Sequence, residues 1–267
     1  MSSASFITHL NYVKRMSVLL STTRLSVSNI KISTSESKNM KRFFRLYKVT
    51  QKSIVTDISL SGQISEFAII STPWLPVKCY YALYYLESIL VYLISGDNCG
   101  FKPGGHTNVR EKIYSLVKSS EMVLSNNDLN NVYPLSVIKT TPRIPVGSNT
   151  RNNYWNDPRC TKSITVKLMD YKLFDAKQKK KWNLHTKKGK KEKQDFISNK
   201  SLMLIDFFYW YRVKANYRDL DYIDFESGLS ESEVIEYMKQ YFSSFNSYRK
   251  MLVAEIHKFN TRHHFLT

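Results

Sequence analysis

Between Thr72 and Gly96 the chain carries a run that would be apolar on every side of a helix, and few folds can accommodate such a segment. It opens with Thr72-Pro73-Trp74-Leu75-Pro76, where proline is tolerated because the first amides of a helix lack intrahelical partners. Cys79-Tyr80-Tyr81-Ala82-Leu83-Tyr84-Tyr85-Leu86 follows and continues through Ile89, Leu90, Tyr92 and Leu93 until Gly96-Asp97 stops it. A rod without a polar side is either the centre of a helical core or a membrane span. Lys78, Glu87 and five tyrosines, in a length near the lower limit for spanning, favour the core.

The remaining elements are read against that rod. Eight glycines and seven prolines in 267 residues are too few for a turn-rich β fold and favour helices. After a loop holding Gly100, Pro103, Gly104 and Gly105, His106-Thr107-Asn108-Val109 opens a helix. Asn108 and Glu111 resemble a capping box there, and Val109, Ile113, Leu116 and Leu124 keep near-helical spacing. At the C-terminal end, Gly228 breaks the chain. Ser230 and Glu233 then form a capping box ahead of Val234, Met238, Tyr241, Phe245, Leu252, Ile256 and Phe259, a long amphipathic helix. The helix before it should lie antiparallel to it across a short turn. Residues 1–70 read as an N-terminal extension. Up to about Lys41 its Ser- and Thr-rich composition predicts a β excursion or a loosely packed arm, and the run from Arg42 to Lys48 predicts a helix ending before Ile54. Residues 71–267 read as a helical bundle with an insertion at about 133–199, where Pro134, Pro142, Pro145 and Pro158 punctuate a polar stretch and Ile164–Met169 fits either strand or helix.

A formal net charge of +18 points to a polyanionic partner, with nucleic acid ahead of an anionic membrane. Three cysteines at wide spacing, Cys79, Cys99 and Cys160, argue against a disulfide framework or a zinc site and fit a reducing, cytoplasmic setting. The segment from Lys177 to Lys193 holds nine lysines against one glutamate. Like charges that dense do not pack on one another, which predicts a solvated loop or arm. Lys179, Lys180, Lys181, Lys187, Lys188, Lys190 and Lys191 are its candidate phosphate contacts, since cation clusters neutralise a phosphate backbone whatever its sequence.

The candidate site lies in Trp210-Tyr211-Arg212-Val213-Lys214-Ala215-Asn216-Tyr217-Arg218-Asp219. On a helix, Arg212, Asn216 and Asp219 at i, i+4 and i+7 share a face, and Lys214, Tyr217 and Arg218 adjoin it. Such a stripe is either a solvated ladder of paired side chains or a set that meets something polar. Lys214 and Arg218 join the candidate nucleic-acid contacts. His106, at the mouth of its helix, is either a surface residue or part of the same cleft.

The ordered set of Lys78-x-Tyr80-Tyr81-Ala82-Leu83-Tyr84-Tyr85-Leu86-Glu87, His106-x-x-Val109 and Tyr211-Arg212-x-x-Ala215-Asn216-Tyr217 before a capped final helix resembles the HEPN domain family over roughly Pro73 to Lys258. The resemblance implies an all-α, up-and-down helical bundle and a homodimer with its cleft between subunits. It also implies a metal-independent RNA endonuclease, of the kind found in toxin–antitoxin and antiphage defence systems, that uses no cofactor. Its partners would be RNA and an antitoxin or defence-system protein, with no membrane. The family signature is an arginine followed four to six residues later by a histidine. Arg212 matches the arginine, but no histidine follows at that spacing.

That departure bears on the chemistry. Metal-free RNA cleavage makes a 2′-hydroxyl attack its own phosphate, which requires proton transfer and stabilisation of growing negative charge. Arg212 supplies a planar donor suited to phosphate. Asn216 can hydrogen-bond but cannot exchange protons near neutral pH. Tyr217 or His106 would have to take the missing role, or the chain binds RNA or a protein without cleaving. A DNA-binding regulator is a weaker reading, since no helix-turn-helix stands out. A metal role would fall to Asp221 and Asp224.

Overall fold

The computed structural model describes residues 3–28, 35–141, 153–217 and 230–263. The chain is all-α, with short antiparallel strands as fastenings. In chain order the described elements are helix α1 (Ser3–Ser21), strand β1 (Leu25–Val27), helices α2 (Ser37–Ser61), α3 (Ser65–Ser71), α4 (Trp74–Ser95) and α5 (His106–Lys118), then strand β2 (Met122–Leu124) and helix α6 (Asn127–Asn130). Strand β3 (Tyr133–Pro134), helices α7 (Leu135–Thr140), α8 (Arg159–Lys180) and α9 (Lys187–Asn199), strand β4 (Ser201–Leu202) and helices α10 (Phe207–Tyr217) and α11 (Glu231–His263) complete them. Strand β1 pairs with β2, Leu25 opposite Leu124, and β3 pairs with β4, Tyr133 opposite Leu202.

The apolar rod is the core. Among the described residues α4 is the one helix long and apolar enough to cross a membrane, but α2, α10 and α11 pack round it and bury it on nearly all sides. Each fully buried Leu or Ile on it contributes roughly 1.5–3 kcal/mol of burial. Gly96 ends it in the left-handed conformation (φ 71°), donating its amide to the Tyr92 carbonyl at 2.8 Å. Helix α11 follows the sequence reading closely: the Ser230 amide donates to Glu233 Oε2 at 3.0 Å, the Glu233 amide donates back to Ser230 Oγ at 3.3 Å, and all seven apolar positions named for it are buried. Helix α10 meets α11 through aromatic rings, with Phe207, Phe208 and Tyr211 against Tyr241 and Phe208 also stacked on Tyr248.

Several expectations are overturned. The N-terminal stretch is mainly helical, with a β excursion confined to Leu25–Val27: α1 buries Phe6, Val13, Met16 and Leu20 against α11 and α8. Those residues follow helical spacing, and Lys14 and Arg15 fall off the buried stripe, Lys14 pairing with Glu236 at 3.3 Å. Helix α2 does not stop before Ile54 but runs through it to Ser61, because Met40, Phe44, Tyr47, Ile54 and Asp57 keep one face inward. Helix α5 begins at His106 with Gly105 before it, so Asn108 caps nothing, and Leu124 belongs to β2. Ile164–Met169 lies inside α8.

The lysine run is also ordered differently from the loop or arm expected. It closes the helical hairpin of α8 and α9, with Lys181 at the turn and Trp182 buried edge-on against Phe196, ring centres 5.4 Å apart. Thr186 caps α9 by accepting the Gly189 amide at 3.1 Å. A helix spreads like charges around its circumference, so Phe196 and Ile197 can face inward while the lysines stay in water. Arg218, Asp219, Asp221 and Asp224 lie outside the described residues, as do the side chains of Lys214, Asn216 and Tyr217.

Candidate functional site

Helix α4 carries its tyrosines in two rows, Tyr80 and Tyr84 one turn apart and Tyr81 and Tyr85 beside them. Arg212 on α10 lies across this cluster. Its guanidinium carbon stands 4.9 Å from the ring centre of Tyr80, 5.7 Å from Tyr81 and 5.2 Å from Tyr209, and its Nη1 donates to Tyr81 Oη at 3.3 Å. The residue is 8% exposed, and its Nε has no hydrogen-bond partner. No carboxylate pairs with Arg212 among the described residues, where the buried cation meets tyrosine ring faces and the Tyr81 hydroxyl.

His106 reaches the same cluster from the start of α5. Its Nδ1 is 2.8 Å from Tyr80 Oη, and its ring lies 4.0 Å from that of Tyr84. The loop before it is held down tightly: Tyr84 Oη donates to the Gly100 carbonyl at 2.6 Å. Gly105 leaves no room for a side chain, since a Cβ there would overlap the Cys99 carbonyl oxygen and press on Tyr84 Oη. Burial, helped by the Arg212 charge, holds the His106 pKa down to about 4. Its place in the first turn of α5 works the same way, because the positive end of a helix disfavours imidazolium. The imidazole is therefore neutral at neutral pH, with one ring nitrogen able to accept a proton. Burial also raises the Tyr80 hydroxyl well above its ordinary value, so the phenol keeps its proton; in the tautomer whose Nδ1–H donates to Tyr80 Oη, Nε2 is the nitrogen left to accept a proton.

Behind this pair sits a network that the sequence reading missed. Arg110, one turn into α5, donates from Nε to Asp206 Oδ1 at 3.1 Å and from Nη2 to Tyr114 Oη at 3.0 Å, and its Nη2 forms an ion pair with Asp206 Oδ1 at 2.8 Å. Tyr114 Oη donates to Asp206 Oδ2, which also accepts the Met203 amide at 3.0 Å. Burial opposes the Arg110 charge, but Asp206 outweighs it and raises the pKa. The two arginines of the region are thus unlike: Arg110 is saturated by a carboxylate and Arg212 has none among the described residues. Both stand against the Tyr209 ring, Arg110 at 4.0 Å from its centre and Arg212 at 5.2 Å. A sequence signal existed for part of this, since Arg110 and Tyr114 stand at i, i+4 on a helix that was correctly placed. Nothing local tied either to Asp206, 96 positions from Arg110.

A cleft of about 220 Å³ opens beside Tyr209, between α5, α8, α9 and α10. Lys179 and Lys180 line it, as do Lys172 and Lys200, which the sequence reading did not single out. Lys179 is close enough to Arg212 for the two positive charges to oppose each other. Lys181, Lys187, Lys188, Lys190 and Lys191 are exposed and do not line the cleft. The structure therefore brings together Arg212, His106, Lys179 and Lys180 from the sequence-derived set, and leaves the other described lysines on the outer surface. No family model matches this chain, and no curated protein or solved structure matches it.

Proposed function

We propose that this protein is an RNA-binding endoribonuclease of HEPN-like type that works without metal, with Arg212 and His106 as its reacting pair. The observation that supports the reading is the convergence of a buried guanidinium, without a carboxylate partner among the described residues, and a neutral imidazole on one tyrosine cluster. A phosphodiester placed against Arg212 would supply an anion that no described carboxylate provides. Its negative charge would also raise the His106 pKa from about 4 towards the range where general-base catalysis is efficient.

In the reaction so read, His106 accepts the proton of the 2′-hydroxyl as its oxygen attacks the adjacent phosphorus. The bond from phosphorus to the 5′-oxygen breaks, and the leaving oxygen regains a proton from the imidazolium or from water. The products are a 2′,3′-cyclic phosphate and a 5′-hydroxyl. Arg212 balances the charge that grows on the phosphoryl oxygens. By analogy with the family, two copies would meet across this cleft, and cleavage would serve a toxin or antiphage defence role.

A second reading has its own support. Arg212 is only 8% exposed and touches three tyrosine rings, as a packing residue would, which suits an RNA- or protein-binding module without catalysis. The two separate in one assay. Wild type, Arg212→Ala and His106→Ala are incubated with total RNA and tRNA in EDTA, and product ends are analysed. Cleavage to cyclic phosphate by wild type, with a loss of about 100-fold or more in each variant, upholds the nuclease. Binding without cleavage by all three upholds the module.

A further inference from the structure

The cleft beside Tyr209 is lined by five cations and two carboxylates, and these do not cancel evenly. Lys200 pairs with Glu111 at 2.9 Å, Lys179 with Asp175 at 2.8 Å, and Arg110 with Asp206. Lys172 and Lys180 have no carboxylate among the described residues. Lys172 is 9% exposed and spends one proton on the Ser201 carbonyl at 2.5 Å, which leaves two ammonium donors for the cleft. Burial lowers its pKa to about 8, the mark of an ammonium short of negative charge. A second, independent observation comes from Trp210. It lines the same cleft, is 4% exposed, and its indole N–H has no partner. A buried donor left unpaired costs about 1–3 kcal/mol, so the cleft is lined by uncompensated positive charge and by an aromatic residue whose buried donor has no partner.

Resting on the RNA reading above, we propose that this cleft is a subsite for one nucleotide of the RNA chain, with its phosphate on Lys172, Lys179 and Lys180 and its base against Trp210. The position suits a nucleotide next to the reacting phosphate. Thr107, which follows His106, lines the cleft, and Arg110 at its edge and Arg212 both stand against the Tyr209 ring. The volume of about 220 Å³ suits a single nucleotide unit better than a duplex segment.

The test is calorimetric titration of the full chain at low salt with 5′-AMP, adenosine, inorganic phosphate and a 2′-deoxy tetranucleotide that cannot be cleaved. We expect 5′-AMP and the tetranucleotide to bind at least tenfold more tightly than adenosine or phosphate alone. Lys179→Ala/Lys180→Ala, at exposed positions that do not burden folding, should lose tenfold or more in affinity for 5′-AMP. Trp210→Phe, which keeps an aromatic wall but removes the N–H, should lose severalfold. Lys38→Ala/Lys52→Ala on the far helix α2 removes the same charge and should change 5′-AMP binding less than twofold. Equal losses in the two lysine pairs, or 5′-AMP binding no better than phosphate, overturns the subsite. A wild type that binds 5′-AMP in this pattern but cleaves no RNA keeps the subsite and sinks the nuclease. One that cleaves RNA through Arg212 while ignoring 5′-AMP does the reverse.

Discussion

Replacing Glu87 by glutamine should make the protein more stable at pH 8 and flatten its stability against pH. Glu87 lies within the core face of α4, where it accepts a hydrogen bond from Tyr248 Oη at 3.1 Å and borders a cavity of about 10 Å³ with room for a single water. Burial raises its pKa from 4.5 to about 7, opposed by the Tyr248 hydrogen bond and the Arg110 charge and helped by Asp206. Below about pH 4.5 the carboxyl is neutral in both folded and unfolded chains and contributes nothing to the pH dependence. Between about 4.5 and 7 the unfolded chain gives up the proton while the folded chain keeps it, so stability falls as pH rises. Above that window the loss is complete, and at 1.36 kcal/mol per pKa unit it amounts to about 3 kcal/mol. Glutamine copies the protonated acid in shape, keeps an oxygen to accept from Tyr248 Oη, and never ionises. In urea unfolding at pH 5 and pH 8, wild type should lose about 2.5 kcal/mol between the two through this group, and Glu87→Gln should be spared that loss. Parallel behaviour of the two proteins, or a variant weaker than wild type at pH 8, would refute the argument that desolvation governs this carboxyl.

Four other expectations follow from the same geometry. Asp206→Asn leaves the Arg110 guanidinium buried without its anion and should cost about 3–5 kcal/mol in urea unfolding, while Arg110→Met combined with Asp206→Leu should recover most of it. His106 should stay neutral in an NMR titration down to about pH 5, and Arg212→Ala should raise its pKa. Because the folded-state pKa is depressed, His106 subtracts stability as pH falls from about 6.5 towards 4, and His106→Gln should remove that part of the acid sensitivity. Gly105→Ala forces a Cβ onto the Cys99 carbonyl, so it should lower Tm and broaden the His106 ring signals together. Ser230→Ala removes an exposed cap and should cost about 1 kcal/mol without altering any property of the His106 ring.

What could be read from sequence and what could not divide along the range of the interactions. Helices α4 and α11 were legible because their signals are local: an unbroken apolar run bounded by proline and glycine, and a capping box followed by a regular stripe. Helix α1 carried the same kind of signal in Phe6, Val13, Met16 and Leu20, but its Ser- and Thr-rich setting and the Lys14-Arg15 pair masked it. The lysine run misled for a different reason. Its charge density says only that the ammonium groups stay in water, and an exposed helical face satisfies that as well as a loop does. At the candidate site, Arg212 stood out because an arginine on an apolar helix is locally anomalous. The identity of its neighbours was not legible, since they come from α4 and α5.

The amino-acid sequence by itself determined an all-α chain with an apolar central helix, a capped final helix and a cationic surplus, because hydrophobic period, caps and charge are properties of neighbouring residues. Tertiary structure alone decided that Arg110 is paired with Asp206 while Arg212 meets tyrosines and no carboxylate among the described residues, that His106 is desolvated beside Tyr80 and Tyr84, and that Lys172 and Trp210 share a cleft. Those facts depend on which distant side chains share a low-dielectric volume, and no local pattern encodes the distance between α4, α5, α8 and α10.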